Sequence, residues 1–437
     1  MPYPLVIYIS LRVERERIEV IAFRERSFPA MNSIENRVSA AILTIIRARR
    51  DSPQVQEGDG RIQSSVPSVK FREATFSDFD GVSELKQRWG LVPDTLEDWE
   101  RLWRLNPALK QAPPERPIGW VLEAEGRVVG YLGNISLIYR YGGDLLSVVT
   151  GHAFVVDPEY RAVSLTLVAA FYRQKSVDLY LTTTGIETVG RIAIAFKCEP
   201  LPQGEYGNVL LWVLRPYPFA QALMRKLNVN PTLAQVGSVL SSLAIGTDKV
   251  LRGRRPRQDE KGLTVREIAV REIGEDFKAL WIEKLKESPQ LLADRSPASL
   301  RWHFQIPGHR GTIRLLCCYR NGELLGYAVI RNDKNRLTGL RRSLLADMLV
   351  KKNDADVLTT LFVSAYAYAE REGCDVLEIL GFPPAVRHLC SQWNPYLRKY
   401  PACPFYYKAS DPLLHKVLSE QGVWYASPFD GDTTLMP

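Results

Sequence analysis

Two apolar spacings alternate along most of this chain. From Val69, VKFREAT has the every-second-residue pattern of a strand, and DFDGVSELKQRWG then shifts to helical spacing after the capping residues Ser77 and Asp78. Thr95 is placed to cap LEDWERLWRLN, whose Trp99, Leu102, Trp103 and Leu105 form one stripe before Asn106-Pro107. IGWVLEAEG, RVVGYLGNISLIYRYGG and LLSVVTGHAFVV follow, separated by turn signals at Glu125-Gly126 and Gly142-Gly143, and predict an antiparallel meander. A Pro turn, the helix SLTLVAAFYRQKS, the strand VDLYLTTT, a short helix and a closing strand NVLLWVLRP complete this series.

The series then recurs. TVREIAVREI is strand-like, FKALWIEKLKES and SPASLRWHFQI are helical, and IRLLCCYRNGELLGYAVIRN is a hairpin turning at Asn321-Gly322. SLLADMLVK, VLTTLFVSAYAYAEREG and DVLEILGF continue as strand, helix and strand. The halves share an order of elements and little identity, so a tandem duplication is expected. The expected fold class is mixed α/β (α+β), with two tandem domains that each hold a mostly antiparallel mixed sheet flanked by helices. Expected boundaries are an N-terminal extension at 1–66, a first domain at 67–216, a helical connector with a basic linker at 217–262, and a second domain at 263–437. The extension has linker composition at DSPQVQEGDGRIQSSVPS, and Met31 is an alternative start.

Composition changes this picture only slightly. A chain of 437 residues exceeds the usual single core, and 46% hydrophobic with 24% charged residues is ordinary for a globular protein. The formal net charge of +8 leaves room for an anionic partner. No apolar run is long enough to span a bilayer, and LVIYISL lacks a cleavage site after it, so a cytoplasmic protein is expected. The helix PTLAQVGSVLSSLAIGTDKVL with Arg252, Arg254, Arg255 and Arg257 after it could touch an anionic membrane through 231–257; a docked connector is the preferred reading. The six cysteines lack CxxC spacing and read as reduced core residues. No GxxxxGK[ST], HExxH or Ser/His/Asp pattern is present.

The chemistry concentrates in FVVDPEYRAVSLTLV at 154–168, where a strand meets a helix through Pro158 and Arg161. Val156, Pro158 and Arg161 match the Val-x-Pro-x-x-Arg pattern of the GNAT acyl-CoA-dependent N-acyltransferases, which the order of elements also resembles. In that family glycines follow the Arg; Ser164 and Thr166 stand in their places here. The hairpin EAEGRVVGYLGNIS, with Gly130, adds to the resemblance. It covers about Val69–Pro216 and, more faintly, Leu263–Phe382.

The resemblance implies acetyl-CoA or another acyl-CoA as co-substrate, no metal, and an amine acceptor of small size such as an amino sugar or amino acid. The diphosphate would rest on Arg161, Ala162, Val163, Ser164, Leu165 and Thr166, at a helix start where amides are unpaired. Val155 and Val156 would pair with the pantetheine arm. Relatives often carry a carboxylate where this chain has Gly151 and His152, so His152 is the candidate base, an imidazole that titrates near neutrality. The family's Asn and Tyr positions fall near Thr184 and Arg191, which depart from the pattern, and Glu187 is a second candidate acid or base.

In the second half, Asp347 lies inside the apolar run LLADML, where an unpaired carboxylate would be costly. It is carried as a catalytic candidate that binds an amino group, or as a backbone cap. Asp430 and Asp432 in FDGDTTL read as a plain turn. The rival readings are an aminoacyl-tRNA-dependent transferase of the same fold and a non-catalytic binding module. Nucleic acid is otherwise not an expected partner.

Overall fold

The computed structural model describes residues 68–110, 116–257, 262–287, 289–307, 311–399 and 405–435. The expected extension at 1–66, with Met31, and part of the basic linker lie outside the described residues. The first series forms as β1 (Val69–Glu73), α1 (Phe79–Arg88), α2 (Leu96–Arg104), β2 (Gly119–Ala124), β3 (Arg127–Tyr141), β4 (Asp144–Val156), α3 (Leu165–Tyr172), β5 (Leu179–Thr182), α4 (Glu187–Ala195), β6 (Glu199–Pro200) and β7 (Asn208–Val213). The connector is α5 (Pro216–Lys226) and α6 (Pro231–Leu251). The second series is β8 (Thr264–Ile268), α7 (Glu275–Leu285), β9 (Leu292–Ala293), α8 (Pro297–Phe304), β10 (Thr312–Arg320), β11 (Glu323–Lys334), β12 (Arg341–Val350), α9 (Ala355–Arg371), β13 (Val376–Ile379), α10 (Pro384–Ser391), β14 (Tyr396–Lys399), β15 (Tyr406–Ala409) and α11 (Pro412–Leu418).

Local chemistry accounts for many of these boundaries. Thr95 caps α2 by accepting the Asp98 amide at 3.1 Å. The hairpin pairs Glu125-Gly126 and Asn321-Gly322 both take positive φ at each residue, as two-residue turns between twisted strands require. Trp99, Leu102 and Trp103 are buried as the stripe predicts, while Leu105 stays exposed.

The two sheets repeat one strand order. The first runs β1-β2-β3-β4-β5-β15-β6 and the second β8-β10-β11-β12-β13-β7-β14, with β9 added beside β3. Neighbours are antiparallel except β4 with β5 and β12 with β13. One feature of this order is absent from the sequence pattern. Asn208–Val213, the expected closing strand of the first half, pairs with β13 and β14 in the second sheet. In return Tyr406–Ala409, near the end of the chain, pairs with β5 and β6 in the first.

The halves therefore share a core. Tyr131, Ile135 and Tyr139 of the first sheet pack in one cluster with Leu315, Tyr327 and Val329 of the second. The outer face of the first sheet carries α3, through Leu167 and Phe171, and that of the second carries α9, through Leu361 and Phe362. The resulting stack is helix, sheet, shared core, sheet and helix. The connector helix α6 turns Leu233, Val236, Leu240 and Leu243 outward, and no helix among the described residues is long and apolar enough to cross a membrane. The cysteines at 198, 317, 318, 374 and 390 are buried free thiols.

An ion network crosses the shared core. Arg295 and Asp347 are both 0% exposed, with Arg295 Nε 3.0 Å from Asp347 Oδ2. Tyr327 Oη donates to the same carboxylate at 3.0 Å and Ser427 Oγ at 3.1 Å. Asp430 Oδ2 lies 3.6 Å from Arg295, and Tyr139 Oη donates to Asp430 Oδ1 at 2.9 Å. Burial raises the Asp430 pKa, and the Arg295 charge offsets this only in part. The guanidinium also lies 4.6 Å from the Phe429 ring centre.

Removing the cation of this network leaves buried carboxylate charge uncompensated. Arg295→Met should lower stability by about 3–5 kcal/mol, measured by urea unfolding. Adding Asp347→Leu should recover part of that loss.

Candidate functional site

The site begins where two strands part. β4 and β5 pair in parallel only over Val148–Thr150 and Leu179–Leu181. β5 ends at Thr182, whereas β4 continues along β3 to Val156. Among the described residues no strand pairs with β4 on its β5 side beyond Thr150, so backbone donors and acceptors there are open to an extended ligand. Within this stretch the β3–β4 register shifts: Tyr131 faces Val155 and Gly133 faces His152, leaving Ala153 and Phe154 opposite Leu132. Ala153 sits at φ 53°, a left-handed conformation uncommon for a residue with a side chain. Such a bulge re-aims the side chains beside it.

A cavity of about 770 Å³ opens at this parting, between the two halves. His152, Ala153 and Phe154 line it from β4, Thr182–Ile186 from the end of β5, and Val168, Phe171 and Tyr172 from α3. Arg331, Arg342, Glu378 and Arg398 of the second sheet form the facing wall.

His152 is 2% exposed and held between two carboxylates. Its Nδ1 lies 3.4 Å from Asp432 Oδ2, and its Nε2 lies 3.9 Å from Asp94 Oδ2. The first separation is a hydrogen bond. The second is within ion-pair range but too long for one, and Nε2 has no hydrogen-bond partner among the described residues. Because Asp432 can only accept, the neutral ring carries its proton on Nδ1 and its lone pair on Nε2.

Asp432 is itself fixed, accepting from Thr183 Oγ1 at 2.8 Å and Thr184 Oγ1 at 2.9 Å. Gly431 before it is at φ +73°, and a Cβ there would fall 2.3 Å from Thr183 Oγ1. Lys86 pairs with Asp94 at 2.5 Å.

These charges set the proton affinity of the imidazole. Burial lowers the His152 pKa, but hydrogen bonding to Asp432 and the pull of Asp94 outweigh burial and the Lys86 charge, so it ends above its ordinary 6.5. Burial likewise raises Asp94, yet His152 and Lys86 hold it below the usual carboxylate range. Tyr172, also on the cavity wall, is pushed up by burial and stays protonated.

The other expected residues fall elsewhere. Glu187 is an exposed first-turn carboxylate of α4, off the cavity wall, although Ile186 and Val189 beside it line that wall. Asp347 belongs to the ion network in the shared core; its partner is a buried arginine rather than an amine. Val155 turns into the shared core, and Val163 packs against the cluster under α3.

Arg161, Ala162, Leu165 and Thr166 are exposed, with Ser164 half-buried, over a 3₁₀ turn that leads into α3. The hydroxyls expected to meet phosphate are engaged locally: Ser164 Oγ donates to Arg161 O at 2.7 Å and Thr166 Oγ1 to Val163 O at 2.6 Å. Asp157 ties this turn to the rest of the half, accepting from Trp89 Nε1 at 2.8 Å and pairing with Arg88 at 3.0 Å. The sequence reading missed Asp94, Lys86 and the arginine wall, and took Asp432 for part of a turn. Only Asp432 left a local trace, in FDGDTTL.

No family model matches the chain, and no curated protein does. Among solved structures it is similar to a GCN5-related N-acetyltransferase from Anabaena variabilis, with 11% identity over 79% of this chain and 73% of that one, at a TM-score of 0.50. It is also similar to a conserved protein of unknown function and probable N-acyltransferase from Enterococcus faecalis, with 9% identity over 78% of this chain and 72% of that one, at a TM-score of 0.51. Both likenesses extend across the two halves. The chain is built on the fold of the GCN5-related N-acetyltransferases.

Proposed function

We propose that this protein transfers an acyl group, most simply acetyl, from coenzyme A to the amine of a small molecule, with His152 as the general base. One observation carries the reading. A buried imidazole lines the cavity at the parting of β4 and β5, with Asp432 on one nitrogen and no hydrogen-bond partner among the described residues on the other.

The residues around the parting suit an acyl-CoA. The unpaired side of β4 can hold an extended amide-bearing arm, and Val163 is turned away into the core. The exposed first turn of α3 and the exposed Arg161 offer partial and full positive charge to a diphosphate. Ser164 and Thr166 contribute backbone there, since their hydroxyls are already bonded. Bound acyl-CoA supplies the activated thioester.

The chain's own part is proton management. An amine arrives as its ammonium form, which Asp94 stabilises in the cavity. Neutral His152 accepts the proton at Nε2, and Asp432 steadies the imidazolium through Nδ1. The Tyr172 hydroxyl, 3.2 Å from Thr182 Oγ1, stays protonated and can donate a hydrogen bond to the leaving thiolate, while the proton that His152 took from the amine balances the thiolate's uptake of one.

His152→Gln should lower kcat by about 10²–10⁴-fold, measured as free thiol release from acetyl-CoA. The kcat/KM profile should rise with pH through a limb above 6.5, because the catalytic form is the neutral one and the pKa is raised. Asp432→Asn removes the largest raising influence, so that limb should move to lower pH. Arg161→Glu should weaken acetyl-CoA binding at least about tenfold in calorimetry, and unchanged affinity would remove the diphosphate assignment.

A further inference from the structure

The inner face of the second sheet changes character along its length. Under the first sheet it contributes Leu315, Tyr327 and Val329 to the shared core. Further along, the same face turns charged: Arg331 and Asp333 on β11, Arg342 on β12, Glu378 on β13 and Arg398 on β14 line the cavity. Their i, i+2 spacing and the register Asp333↔Arg342 and Leu344↔Glu378 keep them on one side. The opposite side of these strands carries Ile330, Leu345, Leu377 and Ile379 against α9. This is therefore not the solvent face of an amphipathic sheet. Charges have been gathered on an inward face, where burial opposes each of them.

The row does not balance. Glu378, 3% exposed, is shared by two guanidiniums, with Arg342 Nε at 3.1 Å and Arg398 Nη2 at 3.1 Å. Asp333 lies 3.9 Å from Arg342. All three arginines are engaged by protein groups, so the surplus lies in charge and not in unused donors. Three cations face two carboxylates, which leaves one positive charge. Burial disfavours the Arg331 cation; Asp333 supports it, and the neighbouring Arg342 opposes it. On the far wall Asp94 is paired with Lys86, and the buried Asp432 stands behind His152, so no surplus of cations faces the arginines from that side.

We infer that the acceptor is bipolar: an amine that also carries a carboxylate or phosphate, with the amine held at His152 and Asp94 and the anion at Arg331, Arg342 and Arg398. The cavity wall supplies a surplus positive charge for the anion, the Asp94 carboxylate and the His152 imidazole for the amine, and apolar surface from Leu132, Phe154 and Leu344. This rests on the acyl-transfer reading for the fate of the amine, but not for binding of the anion.

Calorimetry without acyl-CoA tests it with two matched pairs, leucine against leucinamide and glucosamine 6-phosphate against glucosamine. The member that carries the carboxylate or phosphate in at least one pair should bind about tenfold or more tightly than the member without it, a step of about 1.4 kcal/mol. A leucine preference identifies a carboxylate site and a sugar-phosphate preference a phosphate site. Arg331→Gln should abolish the preference, and Arg398→Gln, on a half-exposed strand whose loss the fold tolerates better, should reduce it. Equal binding within both pairs overturns the inference, as does a preference that survives in both variants. Acetyl-CoA titrated into the same samples separates the two readings. If it fails to bind while the anion preference stands, the acyltransferase reading falls and the anion site remains.

Discussion

Each sheet of this protein is completed by a strand from the other half. β7 is inserted between β13 and β14, and β15 between β5 and β6, so the two halves cannot separate without breaking backbone ladders in both sheets. Unpaired ladder groups inside a protein are expensive, which makes the exchange a stronger constraint than a docked interface of similar area. The cavity inherits this rigidity. Its β4 wall belongs to one sheet and its arginine wall to the other, and their separation is set by strands that cross between them.

The exchange also brings the end of the chain into the centre of the molecule. After β15 the chain runs back through the shared core, burying Trp424, Tyr425, Phe429 and Leu435. Asp430 thereby reaches Tyr139 and Arg295, while Asp432 reaches His152, Thr183 and Thr184. Two carboxylates two residues apart thus serve different ends. One satisfies a structural arginine, and the other orients the imidazole at the cavity.

Periodicity made most strands and helices up to Ile379 legible and, with turn chemistry, placed the hairpins at Glu125-Gly126 and Asn321-Gly322, but it gave no sign of β14, β15, α10 or α11. It could not say which sheet a strand joins. NVLLWV is an apolar run suited to the middle of either sheet, and its neighbour is chosen by contacts more than a hundred residues away. The same limit governs the site. His152 was picked out because the resemblance puts a carboxylate at that place in the strand, but Asp94 and Asp432 acquire meaning only when loops distant in sequence converge on it. For Asp347 the physics was sound and the assignment was not. A carboxylate in that strand does need a partner, and the partner is Arg295, which sits in an unrelated loop. At Ser164 and Thr166 a short-range rule was passed over: hydroxyls near a helix start commonly bond to a carbonyl one turn back, and both do.

The environment of His152 links folding to chemistry with a definite sign. A histidine whose folded pKa is raised above its ordinary 6.5 stabilises the fold fully below that unfolded value, and this contribution disappears as pH rises through the folded pKa. In the proposed reaction the form that accepts a proton from an amine is the neutral one, present where the stabilisation has gone. On that proposal, Asp432 cannot hold residues 430–435 in place more firmly through His152 without also raising the pH at which the neutral imidazole becomes available. Thr183 and Thr184 relieve that conflict. They give Asp432 two hydroxyl donors that do not titrate, so the final turn stays seated when the imidazole loses its charge.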